Sequence, residues 1–268
     1  MATYLSSDQH ISLRYPERGL RFARFLDQLD PKSDSLIIAG DLCDFWFTAR
    51  EVRKQGSRQE PGLQGLLNFV NQGGRLTMLA GNHDQHLEWF YQELLGCQFE
   101  KEPLRIALEG FQVHLAHGHL LGGRSRWKGW MESRQFLESF QKIPDSIAET
   151  LAAQLKKYNS RNKKTDNLRH YQVFERYVQN LNEPDTQIVI LGHVHQTIFC
   201  DVAPAELDLQ SHAHNAGQKK MAVLGHWFHQ GSWLRLEDQK ADFYIWQDSQ
   251  DRPERVTDQR IAGPLAMQ

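Results

Sequence analysis

Cysteine is scarce in this chain. Its 268 residues hold three, Cys43, Cys97 and Cys200, and no two of them form a C-x-x-C pair. An odd, scattered set argues against a disulfide framework and for reduced thiols in a cytoplasm. Long apolar runs are missing as well: none approaches the ~20 residues needed to span a bilayer. The opening MATYLSSDQH lacks the basic and then apolar pattern of a secretory leader, so a cytoplasmic location is expected. There is no internal repeat and no low-complexity tract. What is plentiful is apolar residues, 40% of the chain, enough for one large α/β domain or a domain with an insertion, and too many for bulk disorder.

A surplus of charge of one sign is also lacking, with 31 Lys and Arg against 33 Asp and Glu, a formal net of −2. That balance hides an asymmetry. Residues 124–176 carry 12 basic and 6 acidic side chains, a net of +6, which leaves −8 on the rest. A basic segment on an acidic body fits an anionic ligand or surface, or else a solvated helical face. The acidic remainder is unfavourable for a nucleic-acid backbone.

Hydrophobic periodicity gives the outline. Tyr4-Leu5, Leu36 to Ile38 and Leu76 to Leu79 read as buried strands. Arg18 to Leu29, Leu63 to Val70 and His86 to Leu95 between and after them read as helices, the last stopped by Gly96. Such alternation implies a βαβ sheet covered on both faces. Leu104 to Leu108 and Phe111 to Ala116 flank Glu109-Gly110 as a hairpin. From Arg124 to about Leu181 the pattern is helical, with Ile143, Ile147, Leu151 and Leu155 at every fourth residue and Pro144 at a helix start. Gln187 to Leu191 returns to strand. Thr197 to Val202, Met221 to Leu224, Trp233 to Leu236 and Phe243 to Trp246 follow as largely antiparallel strands, and the polar tail from Asp248 reads as loop. The expected fold class is α/β: one domain over residues 1–268, a two-sheet sandwich with a helical insertion at 122–182.

Five short runs sit just after the apolar stretches: Asp8-Gln9-His10, Gly40-Asp41-Leu42-Cys43-Asp44, Gly81-Asn82-His83-Asp84, His117-Gly118-His119 and Gly192-His193-Val194-His195. Ligands at the carboxyl ends of neighbouring strands converge on one edge of a sheet. The set supplies oxygen and imidazole donors for two ions. Asp41 has two carboxylate oxygens and can bridge both; Asp8, His10 and His195 complete one site, and Asn82, His117 and His193 the other. Mixed carboxylate, amide and imidazole donors suit transition metals, Mn with Fe, Zn or Ni as alternatives, better than Ca or Mg. Two adjacent cations clamp the oxygens of a phosphoryl displacement and generate an attacking hydroxide between them.

In this order, D-x-H, G-D-x-x-D, G-N-H-D, H-G-H and G-H-x-H resemble the calcineurin-like metallophosphoesterases from Asp8 to His195. The resemblance implies a four-layer α/β/β/α sandwich and supports the ligand set. It also implies that His83 acts near the phosphate with Asp84 orienting its ring. By chemistry, a protonated imidazole there can stabilise phosphoryl charge or protonate a leaving oxygen, the alternative being packing behind the ligands.

Trp46, the basic helical insertion, Asn159-Ser160 with Lys163-Lys164, and Leu224-Gly225-His226-Trp227 with Gly231-Ser232 are further similar to the UDP-2,3-diacylglucosamine pyrophosphatases of lipid A synthesis. That resemblance implies a pyrophosphate-containing lipid substrate and an insertion that acts as a lid over acyl chains. Trp46, Ser160, Asn162, Lys163, Lys164 and His119 are its candidate substrate contacts. Trp127, Trp130, Met131, Leu137 and Phe140 form an apolar stripe in the basic insertion, which fits peripheral contact with the inner membrane face or plain packing. The chain departs from that family at His83, where an Arg stands, and at His119, where an Asp stands. An imidazole suits alkoxide leaving groups, so a phosphomonoesterase or phosphodiesterase on a soluble, nucleotide-like substrate is the rival reading. A non-catalytic metal-bound scaffold is the other.

Overall fold

The computed structural model describes residues 1–45, 50–52, 59–84, 86–121, 126–131, 133–148, 150–151, 167–204 and 218–258, without the side chains of 126–128 and 167–170. The chain opens with β1 (Thr3–Ser6), α1 (Pro16–Leu26), β2 (Ser35–Ala39), α2 (Pro61–Asn71), β3 (Arg75–Leu79), α3 (Glu88–Leu95) and β4 (Gln98–Glu100). These four strands pair in parallel, in chain order. A hairpin of β5 (Leu104–Leu108) and β6 (Phe111–Leu115) starts a second sheet. Both turn residues, Glu109 and Gly110, have positive φ (48° and 87°), as a two-residue hairpin turn demands. Helices α4 (Arg126–Met131), α5 (Arg134–Phe140) and α6 (Asn167–Gln179) lie between β6 and β7 (Ile188–Leu191). With β8 (Ile198–Val202) and β9 (Lys219–Val223), the second sheet has the order β5-β6-β7-β9-β8. The chain then returns to the first sheet with β10 (Gln230–Glu237), β11 (Lys240–Gln247) and β12 (Glu254–Val256), giving β12-β11-β10-β1-β2-β3-β4.

Period-two alternation explains the layering. Leu36 and Ile38 of β2 face the outer helices with Phe22, Phe25, Leu63 and Leu66. Ile37 and Ala39 of the same strand face the second sheet, against Val113, Leu115, Ile188, Ile190 and Ala222. On that sheet's other face Val189, Leu191, Met221 and Val223 meet Phe174 and Val178 of α6. Three apolar layers therefore separate helices, sheet, sheet and helix, which is the four-layer α/β/β/α sandwich.

The root of α6 is tied down by a polar cluster. Buried His114 on β6 contacts Glu183 through Nδ1 (3.0 Å) and the Tyr177 hydroxyl through Nε2 (2.7 Å). Glu183 also accepts from the Thr186 hydroxyl at 2.8 Å.

Several sequence expectations change. Strand β4 escapes the periodicity because only three residues pair. The polar tail contains β12, which pairs with β11 and lets Val256 pack between the sheets. Strand β9 is antiparallel to β8, as expected, but parallel to β7 on its other side. In the insertion Ile143 and Leu151 pack with Leu137 and Phe140, but Ile147 is 57% exposed and Ala148 takes the buried position. Leu155 lies outside the described residues.

Glu60 caps α2, accepting from the Leu63 N–H at 2.9 Å, and is completely buried, with Oε1 unpartnered among the described residues. Burial pushes its carboxyl up to about 7, against the Leu63 and Gly62 N–H groups that favour the charge. A raised carboxyl pKa means that the folded state holds a proton which the unfolded chain has lost. Stability therefore falls as pH climbs from about 4.5 through about 7. Glu60→Gln keeps an acceptor for Leu63 without the charge. Its melting temperature should gain on that of the parent across this window, and parallel melting curves would refute the assignment.

Candidate functional site

β1 and β2 end in register, with Ser6 opposite Ile38, so the residues that follow them meet. The Asp8 N–H donates to the Gly40 carbonyl and the His10 N–H to that of Asp41, both at 3.1 Å. Across the sandwich, β6 and β7 end beside one another, and the Gly192 N–H donates to the His117 carbonyl at 3.0 Å. All five runs thus converge on the carboxyl edge of both sheets. Five of the residues in them, Asp8, His10, Asp41, His193 and His195, sit in the left-handed region with φ between 47° and 69°. Each costs on the order of 1 kcal/mol, strain that a site sustains when the surrounding backbone is fixed. Gly40 has φ 90°, and a Cβ there would meet His117 Nδ1 at 2.5 Å, so this turn admits glycine alone.

The side chains form two adjoining clusters. Asp8 Oδ1 lies 3.3 Å from His195 Nε2 and 3.6 Å from His10 Nε2. Those two nitrogens are 2.9 Å apart. Asp41 Oδ2 lies 3.3 Å from His117 Nε2 and 3.8 Å from His10 Nε2. Asn82 Oδ1 is 3.3 Å from His117 Nε2, and a ring nitrogen of His193 falls within 4.8 Å of the Asp41 and His117 donors. Asp41 and His10 thus stand between the clusters.

Second contacts aim these groups. Asp8 Oδ2 accepts from the Ser7 hydroxyl (2.7 Å) and the His193 N–H (2.9 Å), and Asp41 Oδ1 from the His83 N–H (2.9 Å). His117 Nδ1 donates to the Ala39 carbonyl at 2.8 Å, which turns Nε2 toward Asp41. The remaining oxygens, Asp8 Oδ1 and Asp41 Oδ2, are buried and have no hydrogen-bond partner among the described residues.

The field is strongly negative. Burial works against charge on Asp8, but the neighbouring imidazoles of His10, His195 and His117 override it and hold the carboxyl far below its usual range. Burial also opposes charge on His117, yet Asp41 holds that ring up to about 10. Burial keeps His10 and His193 low, so both present lone pairs. Buried carboxylate oxygens without donors, ringed by imidazole nitrogens, fit divalent cations.

His83 is near the clusters, one ring nitrogen lying within 4.8 Å of the His10 and Asp41 donors. Asp84 does not orient it. Its Oδ1 accepts from the Gly81 N–H (2.7 Å), and its Oδ2 from the Leu42 N–H (2.9 Å) and the Tyr91 hydroxyl (2.8 Å). Closing the Gly81–Asp84 turn uses up this carboxylate, so it buttresses Asn82 and Asp41 from behind. The ring is oriented instead by the Phe45 N–H, which donates to His83 Nδ1 at 3.0 Å, with Asp44 Oδ1 at 4.0 Å. In a neutral ring this puts the proton on Nε2.

His119 adjoins the site, its ring 5.6 Å from that of His117 and 6.2 Å from that of His193. Its Nδ1 is 2.9 Å from Glu102 Oε1, off the hydrogen-bond axis, while Glu102 Oε2 accepts from the His117 (2.5 Å) and Gly118 (3.3 Å) N–H groups. Glu102 carries no sequence signal, since it lies in a loop fifteen residues before its partner. Phe228 and His226 are likewise invisible in spacing. The Phe228 ring lies 5.2 Å from His195 and 5.4 Å from His10, and stacks on His226 at 4.7 Å. Burial takes His226 down to about 3, leaving it neutral. Trp46, Ser160, Asn162, Lys163 and Lys164 lie outside the described residues.

The family model of calcineurin-like phosphoesterases matches residues 4–197, a span that contains every one of these runs. The chain belongs to that family. It is therefore a hydrolase of a phosphoesterase class that works with divalent metal ions. Among curated relatives, the UDP-2,3-diacylglucosamine hydrolase of Aeromonas hydrophila is 27% identical over 243 residues, covering 87% of this chain and 94% of its own. That of Nitrosococcus oceani is 27% identical over 201 residues, covering 73% and 79%. Of solved structures, vacuolar protein sorting 29 from Cryptosporidium parvum aligns with TM-score 0.45 and 12% identity over 95% of both chains.

A cation held only by the folded clusters stabilises the fold by mass action. For chelator-treated protein, Mn²⁺ at about a hundred times its dissociation constant should raise the melting temperature by about 5–10 °C. Asp41→Ala should lose most of that shift. A shift of the same size in the variant would show that the ions bind elsewhere.

Proposed function

We propose that the two clusters form a dinuclear metal centre that hydrolyses the pyrophosphate of UDP-2,3-diacylglucosamine or a similar nucleotide-linked lipid precursor. The observation that carries the reading is the pair of buried, partnerless oxygens, Asp8 Oδ1 and Asp41 Oδ2, facing the Nε2 atoms of His10, His117 and His195. Asp8, His10, His195 and Asp41 would hold one ion, and Asp41, Asn82, His117 and His193 the other. Manganese suits this donor set, with Fe, Zn or Ni as alternatives. Such ions would supply positive charge for phosphoryl oxygens and would acidify a water to give the attacking nucleophile.

The rest of the work falls to the chain. His83, with Nδ1 spent on Phe45, offers Nε2–H to a phosphoryl or leaving oxygen where charge develops. Asp84 and Gly81 keep the Asn82 turn closed, so its amide need not reorganise. The lipid half of the reading is supported by the relatives, which are UDP-2,3-diacylglucosamine hydrolases, and by an aromatic path. From His83 that path runs through Phe45 (6.2 Å) to Phe140 (5.8 Å) and Phe136 (6.4 Å), and on to Trp130, whose ring is 4.6 Å from Phe136 and which is 53% exposed. Such a surface can line an acyl cleft or rest on a lipid interface, which makes the segment carrying α4 and α5 the proposed lid and membrane contact.

Manganese-loaded protein should release UMP from UDP-2,3-diacylglucosamine. No release, alongside cleavage of bis(aryl) phosphates, would transfer the assignment to soluble diesters. His83→Ala should lower kcat roughly 10²- to 10⁴-fold with metal content unchanged. An undiminished kcat would remove His83 from the chemistry. Trp130→Ala should weaken sedimentation with anionic liposomes, and an unchanged bound fraction would count against membrane contact through α4.

A further inference from the structure

One wall of the site carries a charge that the hydrolytic scheme leaves unused. Arg18, in the first turn of α1, has its guanidinium carbon 4.1 Å from the centre of the Tyr15 ring and 4.2 Å from that of Phe228. Nη1 donates to the main-chain carbonyl of His10 at 3.1 Å and lies 3.9 Å from Asp44 Oδ2. Phe228 in turn packs on the His10 and His195 rings, and the other oxygen of Asp44 is the one near His83. Every group that fixes this guanidinium thus belongs to the candidate site or touches it, except Tyr15.

The side chain is 15% exposed, and among the described residues its one hydrogen bond is to His10. The remaining N–H donors are unspent. A surface arginine usually loses much side-chain entropy when it grips an anion. Here the two rings have already fixed the plane, so the fork of donors is ready for an oxyanion. The contact with Asp44 is too long to neutralise it tightly. The clusters of Asp8 and Asp41 serve one phosphoryl group, and Arg18 stands beside them with capacity for a second anionic group.

We propose that Arg18 is the recognition residue for a second phosphate of the substrate, so that the site selects diphosphate esters over esters with a single phosphorus. The proposal rests on the phosphoryl-transfer reading of the two clusters and specifies its substrate class.

The test compares manganese-loaded parent and Arg18→Ala on two soluble probes. One is bis(4-nitrophenyl) phosphate, with a single phosphorus, and the other is UDP-N-acetylglucosamine, a pyrophosphate diester without acyl chains. For the pyrophosphate, KM should rise roughly ten- to hundredfold in the variant, at least about tenfold more than for the diester. Metal content should match that of the parent. Arg18→Lys, which keeps the charge without the fork, should recover only part of the loss. Equilibrium dialysis with UDP reads the same discrimination without turnover, and the variant should bind at least about tenfold more weakly. Equal losses on both probes, unchanged UDP binding, or loss of metal would overturn the proposal and make Arg18 a brace for the His10 loop. A parent inactive on both probes, and on UDP-2,3-diacylglucosamine as well, would instead refute the hydrolytic reading, and UDP binding alone would then decide for or against Arg18.

Discussion

Two carboxylates buried between two sheets set the terms for the rest of this molecule. Asp8 and Asp41 follow neighbouring parallel strands and are 0% and 1% exposed. Ionised groups so placed are untenable unless something answers their charge. Half of the answer is visible in the backbone: one oxygen of each accepts main-chain N–H groups delivered by the His193 and His83 turns. The other half is the imidazole ring set around the outward oxygens. The raised pKa of His117 measures that negative field, since it overcomes the burial that would otherwise keep the ring neutral. The left-handed backbone at five of these positions follows from the same demand. Relaxing any of them would swing a ligand out of the small volume where the carboxylates need it.

This demand also explains why so much was legible in the sequence. A strand buried on both faces must be apolar, and a charged residue directly after it must point into the gap the strand ends define. The five runs were readable because both rules act within ten residues, and alternation within β2 or β7 gave the layers for the same reason. Local spacing failed wherever a contact spans the chain. Nothing near Glu102 announces His117, and nothing near Arg18 announces Phe228. Asp84 is the instructive case, because its neighbour in sequence is not its partner in space. Closing a four-residue turn and taking the Leu42 and Tyr91 donors fills its carboxylate, leaving His83 to be oriented from the preceding run. In the insertion, helical periodicity named the right region but the wrong buried residue at Ile147, since it is the next residue, Ala148, that faces Leu137 and Phe140.

The link between His83 and Phe45 joins these two themes. Phe45 holds the ring nitrogen of His83 through its main chain and meets Phe136 and Phe140 of the insertion through its side chain. A single residue therefore fixes the proton position of the group nearest the clusters and forms the floor of the aromatic surface leading away from them. Arg50 fastens the same stretch from its far end, donating to the Ile143 carbonyl beyond α5. Any rearrangement of α5 that moves Phe45 must lengthen the bond to His83 Nδ1 and loosen the tautomer. A substrate that fills the aromatic surface would hold Phe45 in place, so binding energy gained far from phosphorus would be spent on fixing the donor beside it. Arginine in place of His83 would not need this arrangement, because a guanidinium has no tautomer to fix. With His83 in its proposed role, the imidazole would make reactivity depend on the α5 segment through one backbone N–H.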